Sequence, residues 1–389
     1  MSKGRKTIGN IKVNIGISYQ RIQDMKITTK EGTHGRLSLE VEVDEGMQNS
    51  SILSLIGQKV EVTLDDGTRL FTGTCSGAGI ENTAEYKCVR IEAASGSIAM
   101  DREPKDCVFQ DPGKTLKAIA DKIGGSYGAE ITLDSDVPIP HIVSQNHETD
   151  WEFLKRIAAA EGKVLYTDIL EDGIRIFMGK TGLREFSDTA LGDAQMTRDA
   201  SELASMEANE GSAEGYMIDV MQCGSEELTM SAGDNAGIYT VRAGEVRVDG
   251  GMLVNSVSYG YPDSIRPSVD AASQPGLEGR ILQGTVAAVS GNMVQVQFDA
   301  DSGMGAPAWI PYESAISNSF YCMPDEGDRS FRHPLPVRCP RPQDQRGDRG
   351  REPLPVPLRQ RGMPHAQHPP ERGGRGCGCR HTSELQSRE

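Results

Sequence analysis

His147-Glu148 opens the signature of a zinc hydrolase helix. That chemistry needs a second histidine four residues after the first, so that both imidazoles reach one ion from the same helical face. Position 151 is Trp, so the pair reads as a polar entry to a helix. Gly113-Lys114-Thr115 ends like a phosphate-binding loop, yet the first glycine of that motif would fall on position 108, which is Val. It reads as an exposed first helical turn. Cys377, Cys379 and His381 are metal-donor types at a spacing that suits no tetrahedral site, and Arg346-Gly347-Asp348 is a common tripeptide without weight. Carboxylates are abundant, but none is placed so that one acid is tuned against another, as glycoside hydrolysis requires. The sequence therefore assigns no catalytic residue, no cofactor and no metal ligand.

The element that carries His147 is better defined than any chemistry near it. Thr149 and Glu152 stand at the Ser/Thr-x-x-Glu spacing of a capping box, in which each side chain satisfies a free backbone N–H at a helix start. Trp151, Leu154, Ile157 and Ala158 follow at helical spacing as one apolar stripe, with Glu152, Lys155 and Arg156 expected to face elsewhere. Gly162 is placed to end the helix. The stripe predicts burial of Trp151 and Leu154, and strand-rich sequence lies on both sides of it.

Composition agrees with short strands and many turns: only 37% of residues are apolar and 44 are Gly. The length allows several domains with cores of their own. A formal charge of −15 argues against a nucleic-acid binder that works by broad phosphate neutralisation. That charge is unevenly divided. Residues 1–329 hold 29 Lys plus Arg against 50 Asp plus Glu, a net of −21, whereas residues 330–389 hold 12 against 6, a net of +6. No secretory signal and no membrane-spanning apolar run is read. Cys75, Cys88, Cys107, Cys223 and Cys322 are scattered singly and are expected to be reduced thiols.

In chain order, Ile11 to Tyr19 is apolar at every odd position, the period of a strand with one buried face. Leu37 to Val43 and Val60 to Leu64 repeat the pattern. Asp65-Asp66-Gly67 signals a hairpin, and Val89 with Ile91 adds a strand. These predict a first β-barrel domain over residues 1–105. Residues 106–162 read as a helical connector, with Asp111 as N-cap and Pro112 as first residue of a helix striped by Leu116, Ile119, Ala120 and Ile123. Residues 163–262 read as a second β-domain interrupted by an insertion at about 186–237, and 263–278 as a linker. Residues 279–329 carry the hairpin Ile281–Val286 and Val294–Phe298 around Ser290-Gly291-Asn292, then Trp309-Ile310-Pro311 and Phe320–Pro324, a set that fits an OB-type barrel. The expected fold class is mainly β with an α+β connector.

At Ser330 the pattern stops. Residues 330–389 have 12 Arg and no Lys, and hold 10 of the 20 Pro. This is either a disordered basic tail or a GC-rich region read out of frame, and the loss of Lys favours the second.

The run from His147 to Gly162 entering a strand at Val164 resembles the signature segment of the phage late control D and VgrG proteins, the baseplate hub and spike proteins of phage tails and type VI secretion. Gly284-Thr285-Val286, Gln297-Phe298-Asp299 and Trp309-Ile310-Pro311 are similar to that family's OB segment. The resemblance implies two barrel-like hub domains followed by an OB-fold. It implies a homotrimer that caps the tail tube, with tail-tube and baseplate proteins and a spike tip or effector as partners. It places the protein in the cytoplasm during assembly and then in a tail baseplate or injection apparatus. No effector domain follows, so no enzymatic activity is inherited. Two alternatives stand beside it: a secreted or tail-associated glycan hydrolase, and an OB-fold nucleic-acid binder. The latter is opposed by residues 279–329, whose only cations are Arg280 and Arg329 against six acids.

Overall fold

A computed structural model of the chain describes residues 5–82, 86–140, 142–179, 182–197, 220–262, 265, 267, 282–312 and 323–329. All of them fall in the unit Met1–Arg338. The fold is mainly β. Its first strands are β1 (Ile11–Asn14), β2 (Arg21–Lys30), β3 (Arg36–Val43), β4 (Lys59–Leu64), β5 (Arg69–Asn82) and β6 (Lys87–Ala94), with a short helix α1 (Asn49–Leu53) between β3 and β4. Alternation along β3 and β4 puts Leu37, Leu39, Val41, Val60 and Val62 inside, each 1% exposed or less. The expected strand from Ile11 to Tyr19 stops at Asn14. Beyond it Gly16 takes a φ of +76°, and the Tyr19 hydroxyl accepts a hydrogen bond from Val13 N at 3.1 Å.

The middle of the chain is a compact α+β segment and not a purely helical one. It contains β7 (Lys105–Phe109), α2 (Leu116–Gly125), β8 (Ala129–Leu133), β9 (Val143–Glu148), α3 (Asp150–Ala160), β10 (Val164–Thr167) and β11 (Ile174–Gly179). β7 pairs with β9, while β10, β11 and β8 form a separate sheet in which β11 and β8 run parallel. The α2 and α3 stripes pack on Ile131, Leu165, Ile176 and Met178 in one core. The expected start of α2 at Asp111 is corrected. Lys114 and Leu116 pair by backbone with Ile139 and Val137, so the helix cannot begin until Thr115, whose hydroxyl accepts Ala118 N at 3.2 Å. Asp111 instead accepts Gly113 N at 2.8 Å in a local turn.

The chain then gives β12 (Glu185–Phe186), β13 (Gln195–Thr197), β14 (Val220–Ser225), β15 (Asn235–Ala236), β16 (Tyr239–Asp249) and β17 (Met252–Gly260). The hairpin β16–β17 turns at Gly250-Gly251, both at positive φ. It joins the first strands in one twelve-stranded sheet with the path β1-β4-β5-β6-β3-β2-β16-β17-β14-β13. The sheet curls until its start meets β17: Ile8 N donates to Gly251 O and Leu253 N to Lys6 O, both at 3.0 Å. One hairpin thereby serves two cores. Val246 and Leu253 lie with Leu39, Val62 and Phe71, whereas Val241, Val257 and Tyr259 lie with Cys223, Met230 and Ala236.

β18 (Gly284–Ser290), β19 (Met293–Phe298) and β20 (Trp309–Pro311) form a three-stranded antiparallel sheet, with the expected turn at Gly291. Gly327 and Asp328 return to pair with Val286. Outside the described residues lie most of the expected linker 263–278, the 198–219 part of the insertion, the expected strand residues Phe320 to Cys322, and the whole of 330–389 with Arg346-Gly347-Asp348, Cys377, Cys379 and His381.

Directly after β7, Gln110 is 1% exposed, and neither side-chain amide atom has a hydrogen-bond partner among the described residues. An unpaired buried amide costs about 1–3 kcal/mol. Gln110→Met, close in volume and apolar, is therefore expected to stabilise the protein by about 1 kcal/mol in denaturant unfolding. A loss of stability would show that the amide is satisfied in solution.

Candidate functional site

The N-terminal end of α3 lies where the curled sheet meets the α+β segment. Both halves of the expected capping box form: Glu152 N donates to Thr149 Oγ1 at 3.1 Å, and Thr149 N to Glu152 Oε2 at 3.0 Å. Trp151 is 1% exposed and Leu154 fully buried, as the stripe predicts. Gly162 ends the helix at a φ of +66°. Arg156 faces away from the stripe, as expected, yet into the protein and not into solvent. It is 5% exposed, paired with Glu148 at 2.8 Å, and it donates to Ser144 O at 2.7 Å. Burial is tolerated because guanidinium and carboxylate meet in a fork that satisfies both.

His147 and Glu148, adjacent in sequence, separate in space. His147 takes a φ of +49°, is exposed, and its backbone N–H donates to Asp106 at 2.9 Å. Glu148 belongs to the Arg156 pair, so the zinc-like dipeptide holds no common ligand position. Lys114 is 2% exposed and so is no surface turn residue; it donates to Asp111 O at 2.9 Å. Burial pushes its ammonium down to about 8, against the opposing effect of Asp111. No group of three or more His, Cys, Asp or Glu among the described residues is arranged to hold a metal ion.

One constellation escaped the sequence reading. His34, on the turn between β2 and β3, lies with Nδ1 2.8 Å from Ser97 Oγ and Nε2 3.3 Å from Asp101 Oδ2. These are the residue types of a hydrolase triad, yet the arrangement is built for support. Ser97 is 2% exposed and His34 5%, so no substrate carbonyl reaches the hydroxyl. Ser97 also bonds Ser95 Oγ at 2.8 Å, and the imidazole packs on Trp151 with ring centroids 4.4 Å apart. Asp101 in turn accepts Thr149 Oγ1–H at 2.5 Å. The network ties the cap of α3 to the curled sheet. No sequence signal links positions 34, 97, 101 and 149, because their adjacency is created by the fold.

Burial pushes the His34 imidazole below its ordinary 6.5, the desolvation outweighing the attraction of Asp101. The unfolded chain therefore takes up this proton more readily than the folded one. Stability contributed by neutral His34 is complete above pH 6.5 and is lost as the pH falls below it. His34→Gln is expected to flatten that acid limb in denaturant unfolding measured across pH, which an unchanged slope would contradict.

Two further buried polar clusters join distant segments. Arg242, the extra residue of a bulge in β16, pairs with Glu31 at the end of β2 at 2.7 Å. Arg184 pairs with fully buried Asp234 at 2.8 Å and reaches Ser231 Oγ at 2.7 Å and Asp168 at 3.4 Å. At the surface, Leu53, Ile56, Ile238, Tyr261 and Trp309 are large apolar side chains 44–67% exposed. The architecture is thus a set of β cores pinned to one another by buried polar clusters.

Residues 31–222 match the family model of the phage tail baseplate hub (GPD). No curated protein matches the sequence. Among solved structures, the chain resembles an E. coli protein described as a component of the type VI secretion system with similarity to the T4 bacteriophage tail proteins gp27 and gp5. The TM-score is 0.57 at 14% identity, covering 77% of this chain and 92% of that one. It also aligns with a 43 kDa prophage MuSo2 tail protein of Shewanella oneidensis (TM-score 0.48, 15% identity, 67% and 99% covered). A Francisella PdpA–VgrG complex aligns as well (0.49, 8%, 82% and 74%). The E. coli protein shares the fold. The family match lies across the curled sheet, α3 and the strands that follow, so that this part of the chain is similar to the phage tail baseplate hub (GPD) proteins.

Proposed function

We propose that this protein is a structural baseplate hub, a homotrimer whose paired β cores form a pseudo-sixfold ring that caps the tail tube. The observation that carries this reading is the hairpin β16–β17, which belongs to two β cores at once. A trimer can present six similar units only if the two within each subunit are held at a fixed angle, and a shared hairpin holds them. Exposed Leu53, Ile56, Ile238 and Tyr261 supply apolar surface that neighbouring subunits would cover. The role is structural and needs no enzymatic activity of its own.

In this reading the first hub domain spans about 1–105, the connector 106–162 and the second hub domain 163–262. An OB-type barrel over 279–329 hands the chain on to a spike tip or effector. Assembly takes place in the cytoplasm, and the partners are tail-tube and baseplate proteins. The acid excess of residues 1–329 lines a passage that repels DNA; a basic or neutral channel in the assembled trimer would refute that part. Residues 330–389 are the product of a shifted reading frame, which sequencing the coding DNA past codon 329 tests directly.

Light scattering of the purified protein is expected to give a trimer that binds tail tube and degrades no cell wall. A stable monomer that ignores tail tube would overturn the reading.

A further inference from the structure

Strand β7 is shared between two cores. Val108 is 1% exposed and sits in the core of the β18–β20 sheet with Val286, Val294, Val296 and Phe298. Its neighbour Phe109 points the other way, into the α+β core, and stacks on Phe153 of α3 with centroids 5.3 Å apart. The backbone of Val108 also pairs with the C-terminal segment: Val108 N donates to Ala300 O at 2.7 Å, and Ser302 N to Val108 O at 2.9 Å. Two residues on, Met304 is half-buried against the α+β core. Gly305 adopts a φ of +66° so close to Asp111 that a Cβ there would overlap the carboxylate. The contact thus combines a backbone bridge, an apolar peg and a close approach that only glycine permits. None of these uses residues 263–281, which join the two parts covalently.

We propose that β7 is a self-sufficient docking strip for the C-terminal β-module, which stays bound to the α+β segment when the covalent link between them is cut. The mode is a parallel β-bridge between Val108 and Asp301: its two main-chain hydrogen bonds and the buried Val108 side chain together fix register. A charge at position 108 would be buried in the module's apolar core without a partner. The module and α3 accordingly move as one body, with Val108, Phe109 and Phe153 as the path between them. This conclusion is independent of the hub assignment and of oligomeric state.

The test inserts a protease site between residues 270 and 275 of the full chain, cuts the folded protein, and follows both pieces by gel filtration without denaturant. The wild-type pieces are expected to co-elute, and Val108→Ile to behave like wild type. Val108→Asp is expected to weaken association by about tenfold or more, so that the pieces separate on dilution. Ser302→Pro removes the N–H that bonds Val108 O while leaving the α+β core untouched, and is expected to act in the same direction. It keeps the test decisive should Val108→Asp fail to fold. Separation of the wild-type pieces, or co-elution of both variants as tightly as wild type, overturns the proposal.

Discussion

Trp151→Ala is expected to destabilise the protein by about 3–5 kcal/mol, the range for removing a large aromatic side chain from a closed core. Trp151 is 1% exposed and belongs to the core that α2, α3 and the β10–β11–β8 sheet share. Its ring also supports His34, so the substitution removes packing from one core and a contact from the junction together. Relaxation cannot fill the space easily, because Phe153 and Leu154 are already fully buried on the same helix. For a body of this size the loss corresponds to a fall in Tm on the order of 10 °C. Trp151→Phe retains the apolar face and should recover most of it. Calorimetry that found the alanine variant within about 1 kcal/mol of wild type would show that Trp151 does not anchor that core.

The capping box at Thr149 and Glu152, the turns at Gly67 and Gly291, and the alternation of β3 and β4 were legible because each is a local pattern. β2 was not, although it is ten residues long. A register shift between Ile22 and Asp24 inserts one residue, so buried Ile22 falls on an even position while Met25 and Ile27 fall on odd ones. A bulge reverses parity and hides the strand from any period-2 reading. β9 was hidden differently, since two of its three buried residues, Ser144 and Gln145, are polar. Lys114 was misplaced outward for a related reason: charge predicts exposure unless a partner is known, and its partner, the Asp111 carbonyl, comes from folding. The junction network is the extreme case. His34, Asp101 and Thr149 are far apart in sequence, and a helical stripe says that Trp151 is buried without saying against what.

Removing Glu31 alone should be nearly as damaging as removing Trp151, whereas removing Glu31 and Arg242 together should not. Glu31 is 6% exposed and Arg242 9%, and they meet at 2.7 Å where β2 passes to the bulge of β16. Glu31→Ala leaves a buried guanidinium without its carboxylate, a change that costs about 3–5 kcal/mol. The attraction itself stabilises much less, because both charges had to leave water to make it. Replacing both by Met supplies apolar volume and leaves no orphaned charge, so the double variant is expected within about 1–2 kcal/mol of wild type. The backbone link of Glu31 N to Arg242 O at 2.9 Å survives either change, so the strands still pair. The cycle thus separates two roles for this pair. If the double variant is as unstable as Glu31→Ala, the charges drive the docking of β16 on β2. If it recovers, hydrophobic closure of the sheet drives docking and the ion pair sets where the bulge falls, which is the outcome expected from a hairpin whose Val246 and Leu253 already lie in the first core.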